Sequence, residues 1–135
     1  MSSNRIVSII DDEIDISDLF HDALSNIGDR ITIVTFNDPV IALEHFTDNK
    51  EDYVVVISDL RMPNLNGLEL LKKVKQISEK VRTILISGYE IENNIVFQHY
   101  LQLGIINSFF VKPVTVKKLR QKVTDEILLY PIPAT

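Results

Sequence analysis

The chain has 135 residues, of which 45% are hydrophobic and 24% are charged, a composition that fits one globular domain with a buried core. It contains no cysteine, which excludes disulfide bonds and thiolate chemistry, and its formal net charge of -5 argues against direct binding to nucleic acid or to anionic membranes. No apolar stretch approaches the length of a membrane span, and the first residues lack the apolar core of a signal peptide, so we expect a cytoplasmic protein.

In chain order, short apolar runs alternate with segments of helical periodicity. Residues 6–10 are apolar and mostly β-branched, which predicts a buried strand. Apolar residues then recur at helical spacing from Ile16 to Ile27, and Gly28 is expected to end this first helix because it can adopt positive φ. Residues 31–36 predict a second strand.

Asp38 and Pro39 favour the start of a second helix, as its N-cap and its first helical residue. The remaining elements follow the same alternation: strand 53–58, loop 61–67, helix 68–77, strand 81–86, helix 91–103, strand 105–111 and helix 116–127. Five strand–helix pairs in succession predict an α/β fold with a doubly wound parallel sheet. We assign residues 1–130 to this one domain and residues 131–135 to a short C-terminal tail.

Side chains suited to phosphoryl chemistry follow four of the predicted strands. The first strand is followed by Asp11 and Asp12, the third by Asp59, the fourth by Ser87 and the fifth by Lys112. In such a sheet the ligand crevice lies beyond the carboxyl ends of the strands, so these side chains are expected to converge.

Three carboxylates in one crevice repel each other unless a cation neutralises them, and a set of oxygen ligands without His or Cys favours a hard ion such as Mg²⁺. One aspartate can then attack phosphorus while a lysine ammonium and a hydroxyl stabilise the phosphoryl oxygens. Taken alone, the acidic run 11–13 would more simply be the N-terminal cluster of a helix. Together with Asp59 and Lys112 it favours a functional site.

Four motifs in this order resemble the response-regulator receiver domain of two-component signalling, over roughly residues 5–129. They are Ile-Ile-Asp-Asp-Glu at 9–13, Ser-Asp-Leu-Arg-Met-Pro at 58–63, Ile-Ser-Gly at 86–88 and Val-Lys-Pro at 111–113. Asn-Gly at 66–67, after the second motif, makes the match more specific. The resemblance implies a flavodoxin-like (βα)5 fold with strand order 2-1-3-4-5.

The resemblance also implies a role for each of these residues. Asp59 is expected to accept the phosphoryl group, and Lys112 to bridge to it. The implied ligands of Mg²⁺, for which Mn²⁺ is expected to substitute, are Asp11, Asp12, Asp59 and the backbone carbonyl of Arg61. Asp11 is expected to act partly through bound water.

Ser87 and Phe109 are the implied switch residues: the hydroxyl moves toward the phosphoryl group and the aromatic ring turns inward with it. Arg61 and Tyr89, two residues beyond Asp59 and Ser87, are expected to tune the lifetime of the phosphoryl group. The surface formed by the fourth helix, fifth strand and fifth helix is expected to change on phosphorylation. Formation of a dimer through this surface is a further possibility.

Two features depart from the family pattern. Ser87 stands where Thr is commoner, which keeps the hydroxyl. The stretch from Ser87 to Lys112 is a few residues longer than usual, so we expect the fourth helix or its flanking loops to be altered.

These features favour a signalling module that a sensor histidine kinase or phosphotransfer protein phosphorylates at Asp59, and that acts on an unknown downstream protein. It would catalyse its own phosphorylation and dephosphorylation without being a turnover enzyme. One alternative is an aspartate-based phosphatase or phosphotransferase, although Arg61 stands where that class has a second acid. A flavin-binding module would need a glycine-rich loop where Asp11 and Asp12 stand. A degenerate receiver acting only in protein interactions is the third alternative, and the intact acidic set argues against it.

Overall fold

The computed structural model describes residues 4–88 and 91–131, which form a five-stranded parallel sheet with α-helices on both faces. The strands are β1 (Arg5–Ile10), β2 (Ile31–Phe36), β3 (Tyr53–Asp59), β4 (Arg82–Ser87) and β5 (Ser108–Val111). The helices are α1 (Ile14–Leu24), α2 (Pro39–Asp48), α3 (Gly67–Ile77), α4 (Ile95–Gln102) and α5 (Val116–Leu129). The sheet order is β2-β1-β3-β4-β5 and all neighbours are parallel, which confirms the predicted fold class and strand order. Within the described residues, no helix is long and apolar enough to cross a bilayer.

The sheet separates two apolar clusters, one on each face. The first contains Phe46, Leu71 and Phe97 from α2, α3 and α4, and the second contains Leu24 and Leu119 from α1 and α5. Strand β3 lies in the middle of the sheet and is buried along its whole length, because an almost continuous apolar run can pack against both layers. Asp59, the last residue of β3, is therefore held at the middle of the edge formed by the carboxyl ends of the strands.

Helix α1 ends at Leu24, about one turn before Ile27, so Gly28 does not terminate it as predicted. Instead Asn26 adopts the left-handed conformation, with φ 61°. The guanidinium of Arg120, from α5, donates from Nη1 to the carbonyl oxygens of Ala23 (2.7 Å) and Ser25 (3.1 Å). A side chain distant in sequence thus satisfies carbonyls at the helix end, and local sequence gives no sign of it.

Helix α4 begins at Ile95, so the prediction that it begins at residue 91 was wrong. The Oδ1 of Asn94 accepts a hydrogen bond from the backbone N–H of Phe97 (3.0 Å) and caps the helix. Ile91 is only 3% exposed, so it supports the apolar periodicity without being helical. Helix α4 is therefore shorter than the predicted 91–103, and the expected departure from the family pattern stays a prediction.

Strand β5 begins at Ser108 and not at residue 105. Asn107 comes directly before this strand. Its side-chain Oδ1 accepts hydrogen bonds from the backbone N–H of Thr83 (2.9 Å) and from Nζ of Lys75 (2.9 Å). The amide side chain thus satisfies a β4 donor that a longer β5 would have paired.

Candidate functional site

The predicted acidic residues meet at the carboxyl edge of the sheet. Asp11 and Asp12 follow β1, and Asp59 is the last residue of β3. Each offers a carboxylate oxygen, and these oxygens lie within 4.8 Å of one another. Asp11 is 2% and Asp59 8% exposed, whereas Asp12 faces solvent. The structure therefore brings together the three carboxylates that the sequence predicts to form one site.

Backbone hydrogen bonds fix Asp11 at the end of its strand. Its N–H donates to the carbonyl of Phe36 (3.1 Å), which continues the pairing of β1 with β2. Its Oδ1 accepts from the backbone N–H of Glu13 (2.9 Å). Glu13 is the N-cap of α1 but forms no capping bond through its own side chain, so the carboxylate of Asp11 satisfies a free donor at the helix start.

Gly67 allows the backbone around Asp59 to close tightly. A Cβ at position 67 would lie 2.3 Å from the carbonyl oxygen of Asp59 and 2.9 Å from Cδ1 of Leu85. The N–H of Gly67 also donates to the carbonyl of Leu60 (2.8 Å). From the sequence, the Asn-Gly pair was predicted to lie in a loop and to strengthen the family resemblance, but its contact with Asp59 was not predicted. The structure shows that Gly67 begins α3 directly against the backbone of the predicted phosphoacceptor, where Asn66 caps the helix.

Lys112 adds one positive charge to this edge. Its Nζ lies 3.1 Å from Oδ1 of Asp59 and 3.7 Å from Oδ2 of Asp11. Its backbone N–H donates to the carbonyl of Ser87 (2.7 Å), which ties the ends of β5 and β4 together. The ammonium is thus held beside both buried carboxylates.

The electrostatics show a site that is short of positive charge. Burial raises the pKa of the Asp11 carboxyl, and the charge of Asp59 adds to this effect. Burial also raises the pKa of Asp59, although the hydrogen bond and charge of Lys112 oppose it. For Lys112, burial disfavours the ammonium, but the hydrogen bond and charge of Asp59 outweigh it and raise the pKa. An all-oxygen set of this charge suits a hard divalent cation.

The two candidate switch residues lie on neighbouring strands, Ser87 at the end of β4 and Phe109 within β5. Ser87 is 1% exposed at the end of β4. The ring of Phe109 packs edge to face on that of Phe97 in α4, with centroids 4.9 Å apart. Its neighbour Phe110 packs in the cluster on the opposite face of the sheet. Of the two phenylalanines, Phe109 is therefore the one that faces α4, and its switching role stays a prediction.

The structure describes only one of the two candidate lifetime residues, Arg61. Arg61 is exposed and lines a cavity with Asp12, Asp59 and Lys112, so it can reach the mouth of the site. Tyr89 lies outside the described residues. The roles of both remain predictions, as does the role of the Arg61 carbonyl as a metal ligand.

Known proteins share this arrangement over most of the chain. The sequence model of the family described as the response regulator receiver domain matches residues 7–124. The chain is 29% identical over 121 residues to sporulation initiation phosphotransferase F of Bacillus subtilis, an alignment that covers 89% of this chain and 91% of that protein. It is also 29% identical over 115 residues to protein-glutamate methylesterase/protein-glutamine glutaminase 1 of Methanospirillum hungatei. That alignment covers 85% of this chain but 33% of that protein, so the chain spans about a third of this relative's length.

Among solved structures, a response regulator receiver domain protein from Clostridium thermocellum superposes with a TM-score of 0.81 at 27% identity, covering 92% of this chain and 94% of that one. The similarity therefore extends over the whole fold. Receiver domains bind Mg²⁺ through acidic residues, and Asp11, Asp12 and Asp59 form an acidic cluster in this chain.

Proposed function

This chain belongs to the response regulator receiver domain family, and from that premise we propose that it accepts a phosphoryl group on Asp59 from a phosphohistidine. The donor is a sensor histidine kinase or a phosphotransfer protein. One observation carries the proposal: Asp59 ends the central strand, 3.1 Å from the ammonium of Lys112 and grouped with the carboxylates of Asp11 and Asp12.

The transfer uses a carboxylate oxygen of Asp59 as the nucleophile. This oxygen forms a bond to phosphorus as the phosphorus–nitrogen bond of the donor breaks, and the departing histidine nitrogen keeps the electron pair. Lys112 offsets negative charge on the phosphoryl oxygens, since its ammonium already lies beside Asp59. Asp11, Asp12, Asp59 and the backbone carbonyl of Arg61 would hold Mg²⁺ or Mn²⁺, which supplies further positive charge when bound.

The phosphorylated chain is a signal and not a turnover enzyme. The hydroxyl of Ser87 moves to the phosphoryl group and Phe109 follows it, which changes the surface made by α4, β5 and α5. A downstream protein in the cytoplasm, or a second copy of the chain, recognises the altered surface. Exposed apolar side chains on α4, including Ile95 and Val96, offer contacts for such a partner.

Phosphorylation with a small donor tests this function. The chain is incubated with acetyl phosphate and Mg²⁺ and its intact mass is measured. We expect a gain of one phosphoryl group in the parent, which chelation of the metal with EDTA prevents. Asp59→Asn should abolish the gain, whereas Asp52→Asn, at an exposed aspartate outside the site, should leave it unchanged. Labelling of Asp59→Asn at the parental rate would show that another residue accepts the group.

A further inference from the structure

We propose that Asn37, in the loop between β2 and α2, is a positioning residue that aims the carboxylate of Asp12 at the metal. This inference rests on the proposed function. The Nδ2 of Asn37 donates to the backbone carbonyl of Asp11 (2.7 Å) and to Oγ of Ser17 (3.0 Å). An exposed loop asparagine would ordinarily be only a solvated side chain. Here both hydrogens of its amide nitrogen are used inward, across the start of α1.

The carbonyl that Asn37 contacts belongs to the peptide joining Asp11 to Asp12. Because a peptide unit is planar, a fixed carbonyl direction also fixes the direction of the bond to the Cα of Asp12. The carboxylate of Asp11 is separately held by the N–H of Glu13 (2.9 Å). Asn37 thus restrains the backbone from which the exposed side chain of Asp12 projects.

The second partner of Asn37 anchors the same segment from inside the protein. Ser17 is 1% exposed, and its Oγ donates to the carbonyl of Ile14 (3.0 Å) while it accepts from Asn37. Its backbone N–H donates to the carbonyl of Glu13 (3.1 Å). Asn37 therefore links the start of the acidic segment to a buried point one turn into α1.

Asn37 itself is held firmly on both sides. Phe36 before it pairs with Ile10 in the sheet, and Asp38 after it caps α2 by accepting from the N–H of Val40 (2.8 Å). An asparagine also donates without adding charge. A lysine or arginine here would bring a cation beside the carboxylates, and an aspartate could not donate. Substitution of a residue that orients metal ligands without being one itself commonly lowers metal affinity about 10-fold to 100-fold.

Calorimetric titration with Mg²⁺ tests the role. Asn37→Leu keeps the size of the side chain but removes both donors, and Ser17→Ala removes one of the two acceptors. We expect Asn37→Leu to weaken Mg²⁺ binding about 10-fold, equivalent to ~1.4 kcal/mol, and Ser17→Ala to weaken it less. Asn49→Leu is the matched control, since Nδ2 of Asn49 also donates to a backbone carbonyl, that of His45 (2.9 Å), at the far end of α2.

Thermal unfolding in EDTA separates positioning from stability. Asn37→Leu and Asn49→Leu should lower the metal-free melting temperature by similar amounts, while only the former changes Mg²⁺ affinity. Parental affinity in Asn37→Leu would overturn the inference and leave the proposed function intact. A loss of affinity matched by Asn49→Leu would overturn it too, because general destabilisation would then explain the loss. If the parent binds no Mg²⁺, both the inference and the proposed metal site fail.

Discussion

Nζ of Lys112 lies 3.1 Å from Oδ1 of Asp59, at the edge of the sheet where β5 and β3 end. The contact has two opposed consequences. The ammonium is positioned to stabilise a phosphoryl group on Asp59, but it also neutralises a carboxylate that a metal cation needs. One substitution should therefore move phosphorylation and metal binding in opposite directions.

Lys112→Met removes the ammonium while it keeps most of the side-chain length. We expect phosphorylation by acetyl phosphate to slow about 100-fold, as for the loss of one charge-stabilising donor, and Mg²⁺ to bind roughly fivefold more tightly, as for the loss of one nearby positive charge. Rates follow from intact mass against time and affinities from calorimetry. Lys117→Met removes an exposed positive charge from α5 and should change neither. An unchanged rate in Lys112→Met would exclude the bridging role.

Burial raises the pKa of the carboxyls of Asp11 and Asp59 above the ordinary 3.8, and this makes the stability of the metal-free protein depend on pH. A carboxyl with a higher pKa in the folded state binds more protons when folded than when unfolded. The free energy of unfolding therefore falls as pH rises from the ordinary value through the folded pKa. Above that window the charged carboxylates destabilise the fold.

Asp59→Asn should therefore stabilise the metal-free protein at neutral pH. We expect its melting temperature in EDTA to rise by roughly 3 °C, equivalent to about 1 kcal/mol. The gain should shrink as pH falls through the raised folded pKa of Asp59, because the parent carboxyl then takes up a proton. Thermal unfolding at several pH values checks this, with Asp52→Asn as a control at an exposed aspartate. A gain that is independent of pH would point to packing and not to charge.

Edge-to-face packing of Phe109 on Phe97 connects β5 to α4. We expect hydrogen exchange between about Ser87 and Lys118 to change when beryllofluoride, a phosphoryl mimic, binds. Phe109→Leu should reduce the change in α4 without preventing binding, since it removes a ring contact of about 1 kcal/mol.

Phe110→Leu is the matched control for this experiment. It makes the same change one residue along β5, on the opposite face of the sheet. The response of α4 should persist in this variant. Equal loss of the response in both variants would mean that β5 transmits the change as a whole strand, and the assignment to Phe109 would then be wrong.

Much of the fold could be predicted from the sequence because its signals are local. The Val-rich run of β3, and the N-cap and proline at Asp38 and Pro39, predict their elements correctly. The acidic residues were predicted to meet because the ends of parallel strands share one edge. What could not be predicted depends on contacts between distant segments. Arg120 satisfies carbonyls at the end of α1, and Asn37 reaches across to Asp11.

At the opposite end of β4 lies a buried ion pair that should contribute to stability. Glu126 in α5 is 3% exposed; its Oε1 accepts from Nε of Arg82 (2.7 Å), and its Oε2 accepts from the hydroxyl of Ser108. Glu126→Leu leaves the guanidinium partly buried without this partner, so we expect a loss of about 3 kcal/mol in the free energy of unfolding.

Urea unfolding measures this loss, and the double variant identifies its cause. Adding Arg82→Met to Glu126→Leu should recover more than half of the stability, because the unpaired charge is then removed as well. Asp125→Asn, which alters a surface contact with Gln121, should stay within about 0.5 kcal/mol of the parent. A double variant less stable than Glu126→Leu would show that the packing of Arg82 matters more than its charge.

Arg61 lies at the mouth of the site with Asp12, Asp59 and Lys112, where it can shield a phosphoryl group from water. Hydrolysis needs a water molecule in line with the bond from Asp59 to phosphorus, and a group that accepts a proton from it. A guanidinium has no acceptor, so Arg61 cannot accept a proton from that water. We therefore expect a slowly lost phosphoryl group.

Arg61→Asn combined with Tyr89→Glu should speed this loss about tenfold, equivalent to ~1.4 kcal/mol of barrier, because an amide and a carboxylate can hold the attacking water. The decay of phosphorylated protein after removal of the donor measures the effect. Lys117→Asn controls for the loss of a positive charge. If both side chains point into solvent and serve only partner docking, the double variant will decay as slowly as the parent. Decay at the parental rate or slower would therefore exclude shielding as the cause of the long lifetime.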